Sequence, residues 1–261
     1  MNTRGNFGVA ASLVAATLVV TSLLAGCVNA DGSAERQKED PTEQAAKTNI
    51  QLGVAYLKQG NLALAKEKLE RSLKQNPKDP DVHTTLALLY DRVGEPKLAD
   101  NHFREALRLA PTNPDNSNNY AVYLCKNGRV EEGVERFSEV ATNKYYRTPE
   151  VALTNAGVCL HGAKRDEEAQ KMFKRAIKAR PDYSEATVQL ARLQLEGGSV
   201  AEARKTVDTY LGAFRPNPEV LFTAVSVARA AKDRMSEEKF SRTLRLEFPE
   251  SPQARALKRG S

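Results

Sequence analysis

Small and large apolar residues recur along this chain at offsets that suit a pair of packed helices. Residues 50–77 hold Leu52-Gly53, Tyr56, Gly60, Ala65, Leu69 and Leu73, and close on Pro77. Thirty-four residues on, the same offsets carry Leu86-Ala87, Tyr90, Gly94, Ala99, Phe103, Ala106-Leu107 and Pro111. Each copy reads as one helix, a turn at the glycine, a second helix and a proline that ends it. One copy cannot bury its apolar face alone, so copies must stack and share a continuous core. Residues 45–249 hold six such lengths. The absence of Trp, the 6% aromatic content and the abundance of Ala, Leu, Glu, Lys and Arg favour helices over sheet.

The pattern resembles the tetratricopeptide repeat, in which paired helices pack through small residues. That resemblance implies an all-α, right-handed superhelical solenoid of about six repeats, at residues 46–79, 80–113, 114–149, 150–183, 184–217 and 218–249. The third repeat lacks its closing proline and ends on Tyr145-Tyr146, so the fourth resumes two residues late. The sixth has Glu237 where an alanine is usual. Residues 250–261 form a short basic tail, read as one capping turn or a frayed end.

The first residues read as an address. Arg4 precedes an uncharged run over residues 7–26 that ends Leu23-Leu24-Ala25-Gly26-Cys27, the form of an export signal. The ending resembles the bacterial lipobox, which implies a cleaved signal peptide over residues 1–26 and a covalent lipid on Cys27. The competing reading is an uncleaved membrane anchor. By the sorting preference of that class, Val28 in place of aspartate points to the outer membrane. Residues 27–44 then read as the lipidated N-terminus and a polar, flexible tether, with a reach of about 55 Å if fully extended.

The remaining chemistry is sparse. Cys125 and Cys159 stand 34 residues apart on the first helices of the third and fourth repeats. First helices of successive repeats lie side by side, so a disulfide is favoured over two buried thiols in an oxidising compartment. The two-residue insertion between them shifts one cysteine relative to the other. His83, His102 and His161 are dispersed and read as structural. No spacing suits a metal site, and no phosphate-binding loop or nucleophile elbow is present, so neither a metal, a cofactor beyond the Cys27 lipid, nor an enzymatic activity is expected. The net charge of +6, from 39 basic and 33 acidic residues, is interleaved on helical faces and gives no basic stripe for nucleic acid. No small-molecule substrate is expected.

A stack of this kind offers the concave face lined by its first helices. There the candidate partner-binding residues are Ile50, Val54 and Leu57 in the first repeat, and Thr84, Leu88 and Asp91 in the second. The third supplies Asn118, Asn119 and Val122, and the fourth Asn155, in the slot of Asn119. The apolar set reads as a groove wall, and the asparagines as donors to a bound peptide backbone.

With lipobox, tether and six repeats together, the chain resembles the type IV pilus biogenesis lipoproteins that act as pilotins of the pilus secretin. The stretches that carry this resemblance are IQLGVAYLKQGNLALAKEKL (residues 50–69), GEPKLADNHFREAL (94–107) and NNYAVYLCKNGRVEEG (118–133). It implies a non-enzymatic protein, lipid-anchored to the periplasmic face of the outer membrane, that binds secretin subunits and promotes their localisation and multimerisation. The alternative is a repeat lipoprotein serving outer-membrane protein assembly or the regulation of peptidoglycan hydrolases.

Overall fold

The computed structural model describes residues 40–259, which form thirteen helices and no strand. The expected signal peptide, Cys27 and most of the tether fall within residues 1–39, outside the described residues. The helices pair as α1 (Pro41–Gln59) with α2 (Leu62–Gln75), α3 (Pro80–Arg92) with α4 (Pro96–Leu109), and α5 (Pro114–Lys126) with α6 (Val130–Thr142). Then follow α7 (Pro149–Gly162) with α8 (Asp166–Ala179), α9 (Ser184–Glu196) with α10 (Val200–Ala213), and α11 (Pro218–Ala230) with α12 (Arg234–Glu247). A last helix, α13 (Pro252–Arg259), follows the sixth pair.

Local chemistry sets the helix starts. Proline occupies the first turn of α1, α3, α4, α5, α7 and α11, where no intrahelical partner for its missing N–H is required. Asp79 and Asn113 accept hydrogen bonds from the first-turn amides of α3 and α5. Asp40 does the same for Thr42, so α1 begins at Pro41. Residues 41–44, read from sequence as tether, are therefore its first turn.

Gly60, Gly94, Gly128 and Gly198 close first helices with a positive φ, but the equivalent turns of the fourth and sixth repeats place Lys164 (φ 64°) and Lys232 (φ 57°) there. A side chain in that region is strained relative to glycine. Lys164→Gly should therefore raise stability by about 0.5–1 kcal/mol despite the looser unfolded chain, read as a higher urea midpoint.

The core runs along the stack as a series of clusters. Ala65, Ala99, Ala169 and Ala203 are fully buried where the two helices of a repeat cross, and Phe103, Phe137 and Phe173 fill the space beside them. Each first helix touches the other helix of its own repeat and the first helix of the next, while second helices approach one another mainly through side chains, as where Arg204 of α10 donates to Ser236 of α12 at 3.4 Å. The first helices therefore line the tighter, inner side of the stack.

Two features were not visible in the spacing. His83 and His102 meet, with Nδ1 to Nδ1 at 3.0 Å. His83 Nε2 lies 3.0 Å from the Pro77 carbonyl, which can only accept, so its proton sits on Nε2 and His102 donates to its Nδ1. Burial and the neighbouring His83 hold the His102 pKa below its usual value. The basic tail is also no frayed end. Within α13, Ala254 and Leu257 are buried against Leu221, Val225 and Leu244, so the helix covers the last repeat's apolar face. Glu237, in the usual alanine slot, is accommodated by an ion pair with Arg229 (2.6 Å).

Candidate functional site: the inner face of the first four repeats

Eight residues past the start of each of the first four repeats stand Val54, Leu88, Val122 and Val158. Val54 is half-buried, while Leu88, Val122 and Val158 are 41%, 45% and 46% exposed. Exposed β-branched and leucyl side chains in register on consecutive helices make a continuous apolar row, which is costly to leave bare. The same register in the fifth and sixth repeats holds Arg192, paired with Glu219 at 3.0 Å, and Ser226, which donates to the Phe222 carbonyl. The apolar row thus ends with the fourth repeat.

One helical turn further along each first helix lies a second row, Lys58, Arg92 and Lys126, all exposed. Arg92 donates to the Leu57 carbonyl at 2.6 Å, and Lys126 pairs with Asp91 at 2.7 Å across the second and third repeats. Lys126 lines two hollows on this face. One, of about 480 Å³, is bordered by Val54, Leu88 and Asp91; the other, of about 620 Å³, by Val122, Val158 and the Cys125–Cys159 pair. The face is therefore an apolar trough with a cationic edge.

The two cysteines form a disulfide (S–S 2.01 Å, Cα–Cα 5.6 Å) between α5 and α7. It forms although the two-residue insertion, in the loop over residues 143–148, leaves Cys159 two positions earlier in its repeat than Cys125 is in its own. The bridge fixes the spacing of Val122 and Val158 and lines the second hollow.

Several of the sequence-derived groove residues do different work. Leu57 is 8% exposed and packs into the core beside Leu69, Val82 and Leu86, reaching the hollow only by its edge. Thr84 is 6% exposed and donates to Asn116 at 3.0 Å, so its hydroxyl is committed to the α3–α5 contact. Ile50 is half-buried against the first core cluster. Asn118 and Asn119 are half-buried, and Asn155 donates to Asn118 at 3.3 Å. Asp91 is bound to Lys126. Leu88 and Val122 remain as the exposed wall, joined by Val158 and continued by half-buried Val54. Val158 was not among the sequence-derived groove residues, although counting from residue 150 puts it in the register of the other three. Among the described residues no group of His, Cys, Asp and Glu is arranged to hold a metal ion, and no helix is long and apolar enough to cross a membrane.

Comparison with known proteins agrees with this architecture. Tetratricopeptide repeat family models match residues 50–114 and 160–221. The type IV pilus assembly protein PilF of Pseudomonas aeruginosa is 26% identical over 228 residues, which span 87% of this chain and 90% of that protein. The solved structure of P. aeruginosa PilF superposes with a TM-score of 0.63 at 25% identity, over 85% of this chain and 100% of that one. The crystal structure of PilW, a widely conserved type IV pilus biogenesis factor, shares the fold with a TM-score of 0.61 at 23% identity, over 82% and 98% of the two chains. The chain thus carries tetratricopeptide repeats and is homologous over most of its length to the type IV pilus assembly protein PilF.

Proposed function

We propose that this protein serves type IV pilus assembly by holding secretin subunits against the inner face of its first four repeats. In this reading a lipid on Cys27 anchors it to the periplasmic face of the outer membrane, and the repeats bring the subunits there and promote their multimerisation. The homology to PilF supports the pilus role. The observation that carries the binding role is the exposed row Leu88, Val122 and Val158, continued by Val54 and edged by Lys58, Arg92 and Lys126. A partner segment with an apolar stripe beside carboxylates matches that surface in both burial and charge. The anchor adds to this by confining both partners to one surface, which raises their effective concentration.

The test uses residues that the fold does not need. Leu88→Glu and Val122→Glu place a carboxylate in the trough while leaving the core untouched, so the helical circular dichroism should match the parent. Secretin multimers in the outer membrane and twitching should fall by about tenfold or more, the equivalent of roughly 1.4 kcal/mol lost from the contact. Val54 serves as a third site; Leu57 does not, because its substitution would unfold the first repeat. Full secretin assembly by both folded variants would remove the trough from the mechanism. Cys27→Ser should leave the repeats folded but release the protein from the membrane fraction, and retention there would refute the lipid anchor.

A further inference from the structure

A separate cleft of about 570 Å³ opens on the side of the second helices, with α8 and α10 as its walls and α9 as its floor. Its two ends differ in character. At one end, Thr206 donates to the Gln194 side-chain oxygen at 2.8 Å, and Gln194 Nε2 reaches Glu202 only at 3.5 Å. That last distance is too long for a good hydrogen bond, so a donor on a side chain only 4% exposed is left poorly used. Lys205 stands beside Thr206, and Lys174 lies seven residues before Pro181, about 10 Å along α8 toward this same end. Lys174 gives its ammonium to the neutral Gln170 amide oxygen at 2.7 Å, which leaves its charge uncompensated.

The other end is apolar. Ile177, Leu190, Ala213 and Phe214 line it, with Pro181 at the rim, and the Tyr210 hydroxyl is turned away to the Asp182 carbonyl at 3.3 Å. The volume falls in the range of small-molecule sites, and the lining has their composition of apolar walls with a few convergent polar groups. Two lysines against the single carboxylate of Glu202 favour an anion at the polar end.

We propose that this cleft binds a single-chain amphiphile with an anionic head. The alkyl chain would lie along Ile177, Leu190 and Phe214, and the head between Lys174, Lys205 and the Gln194 amide. The site is distinct from the inner trough, so it stands or falls independently of secretin binding. Decanoate is the probe, titrated below its micelle concentration into the purified, ¹⁵N-labelled chain. We expect saturable shifts confined to α8, α9 and α10, with a dissociation constant on the order of 1 mM or tighter. Decyltrimethylammonium, with the same chain and the opposite charge, should bind about tenfold more weakly.

Two exposed positions test the ends separately. Ala213→Trp fills the apolar end and should weaken decanoate by about tenfold or more. Lys205→Glu should weaken decanoate similarly and strengthen decyltrimethylammonium. Neither substitution touches the core, and matching thermal melts would verify that. Shifts that fail to saturate, that appear on the first helices of repeats one to four instead, or that persist unchanged in Ala213→Trp would overturn the proposal.

Discussion

Reducing the Cys125–Cys159 bridge should lower the unfolding free energy of the repeats by about 2–4 kcal/mol. The bridge closes a separation of 34 residues, for which the loss of unfolded-chain entropy comes to about 4 kcal/mol in the simple loop model. The lower bound reflects the stack itself, where each repeat contacts only its neighbours and unfolding need not be all-or-none. Two readouts distinguish a global from a local effect. The urea midpoint with and without reductant reports the total, and hydrogen exchange in α5 and α7 reports whether the third and fourth repeats part first. An unchanged midpoint, with free thiols verified by mass, would contradict the expectation. Because Val122 and Val158 flank the bridge in one hollow, reduction should also loosen the trough at its far end.

Gly133→Ala carries the second large effect, against the usual sign. Alanine favours a helix interior over glycine by about 1 kcal/mol, and the matching slot holds a fully buried alanine at 65, 99, 169 and 203. In the third repeat, however, a Cβ at residue 133 would collide with Cys125 Sγ and stand 3.0 Å from the Ala121 carbonyl oxygen. Overpacking of this kind costs about 1–3 kcal/mol, which outweighs that gain and leaves the substitution destabilising by about 1 kcal/mol net, and by about 2 kcal/mol at most. Repeating it in a Cys125→Ala, Cys159→Ala background separates the two contacts. With the sulfur gone, the penalty should fall by half or more. An equal penalty in both backgrounds would assign it to the Ala121 carbonyl, and the glycine would then owe nothing to the bridge.

The helix pairs were legible because each has its own local signals: prolines in first turns, Asn and Asp caps, and glycines at the turns between helices. The breaks in pattern were legible only as breaks. Tyr145-Tyr146 in place of a proline signalled a longer loop, but not that Cys125 and Cys159, two register positions apart, would still meet. Offsets from the repeat start placed Leu57 and Thr84 on the inner face, yet Leu57 turns into the first core cluster and Thr84 is taken up by Asn116. A helical offset gives direction to within about one side chain's width, and residues at the margin of a face go to whichever neighbour offers more contact. The tail gave no period long enough to read, and its two buried residues, Ala254 and Leu257, became meaningful only beside Leu221 and Leu244.

By itself, then, the sequence determined the repeating unit, its length and its helical register, because propensity, capping and apolar spacing act within a few turns of chain. That is enough to specify a tetratricopeptide stack and the inner position of Val54, Leu88 and Val122. Only the tertiary structure decided which of the inner residues stay exposed, that His83 pairs with His102, that Gly133 makes room for a bridge, and that a cleft opens beside α9. Each of these depends on contacts between helices, at separations from 8 residues for Gly133 and Cys125 to 34 for the bridge, where the choice among neighbours is made by packing rather than by local preference.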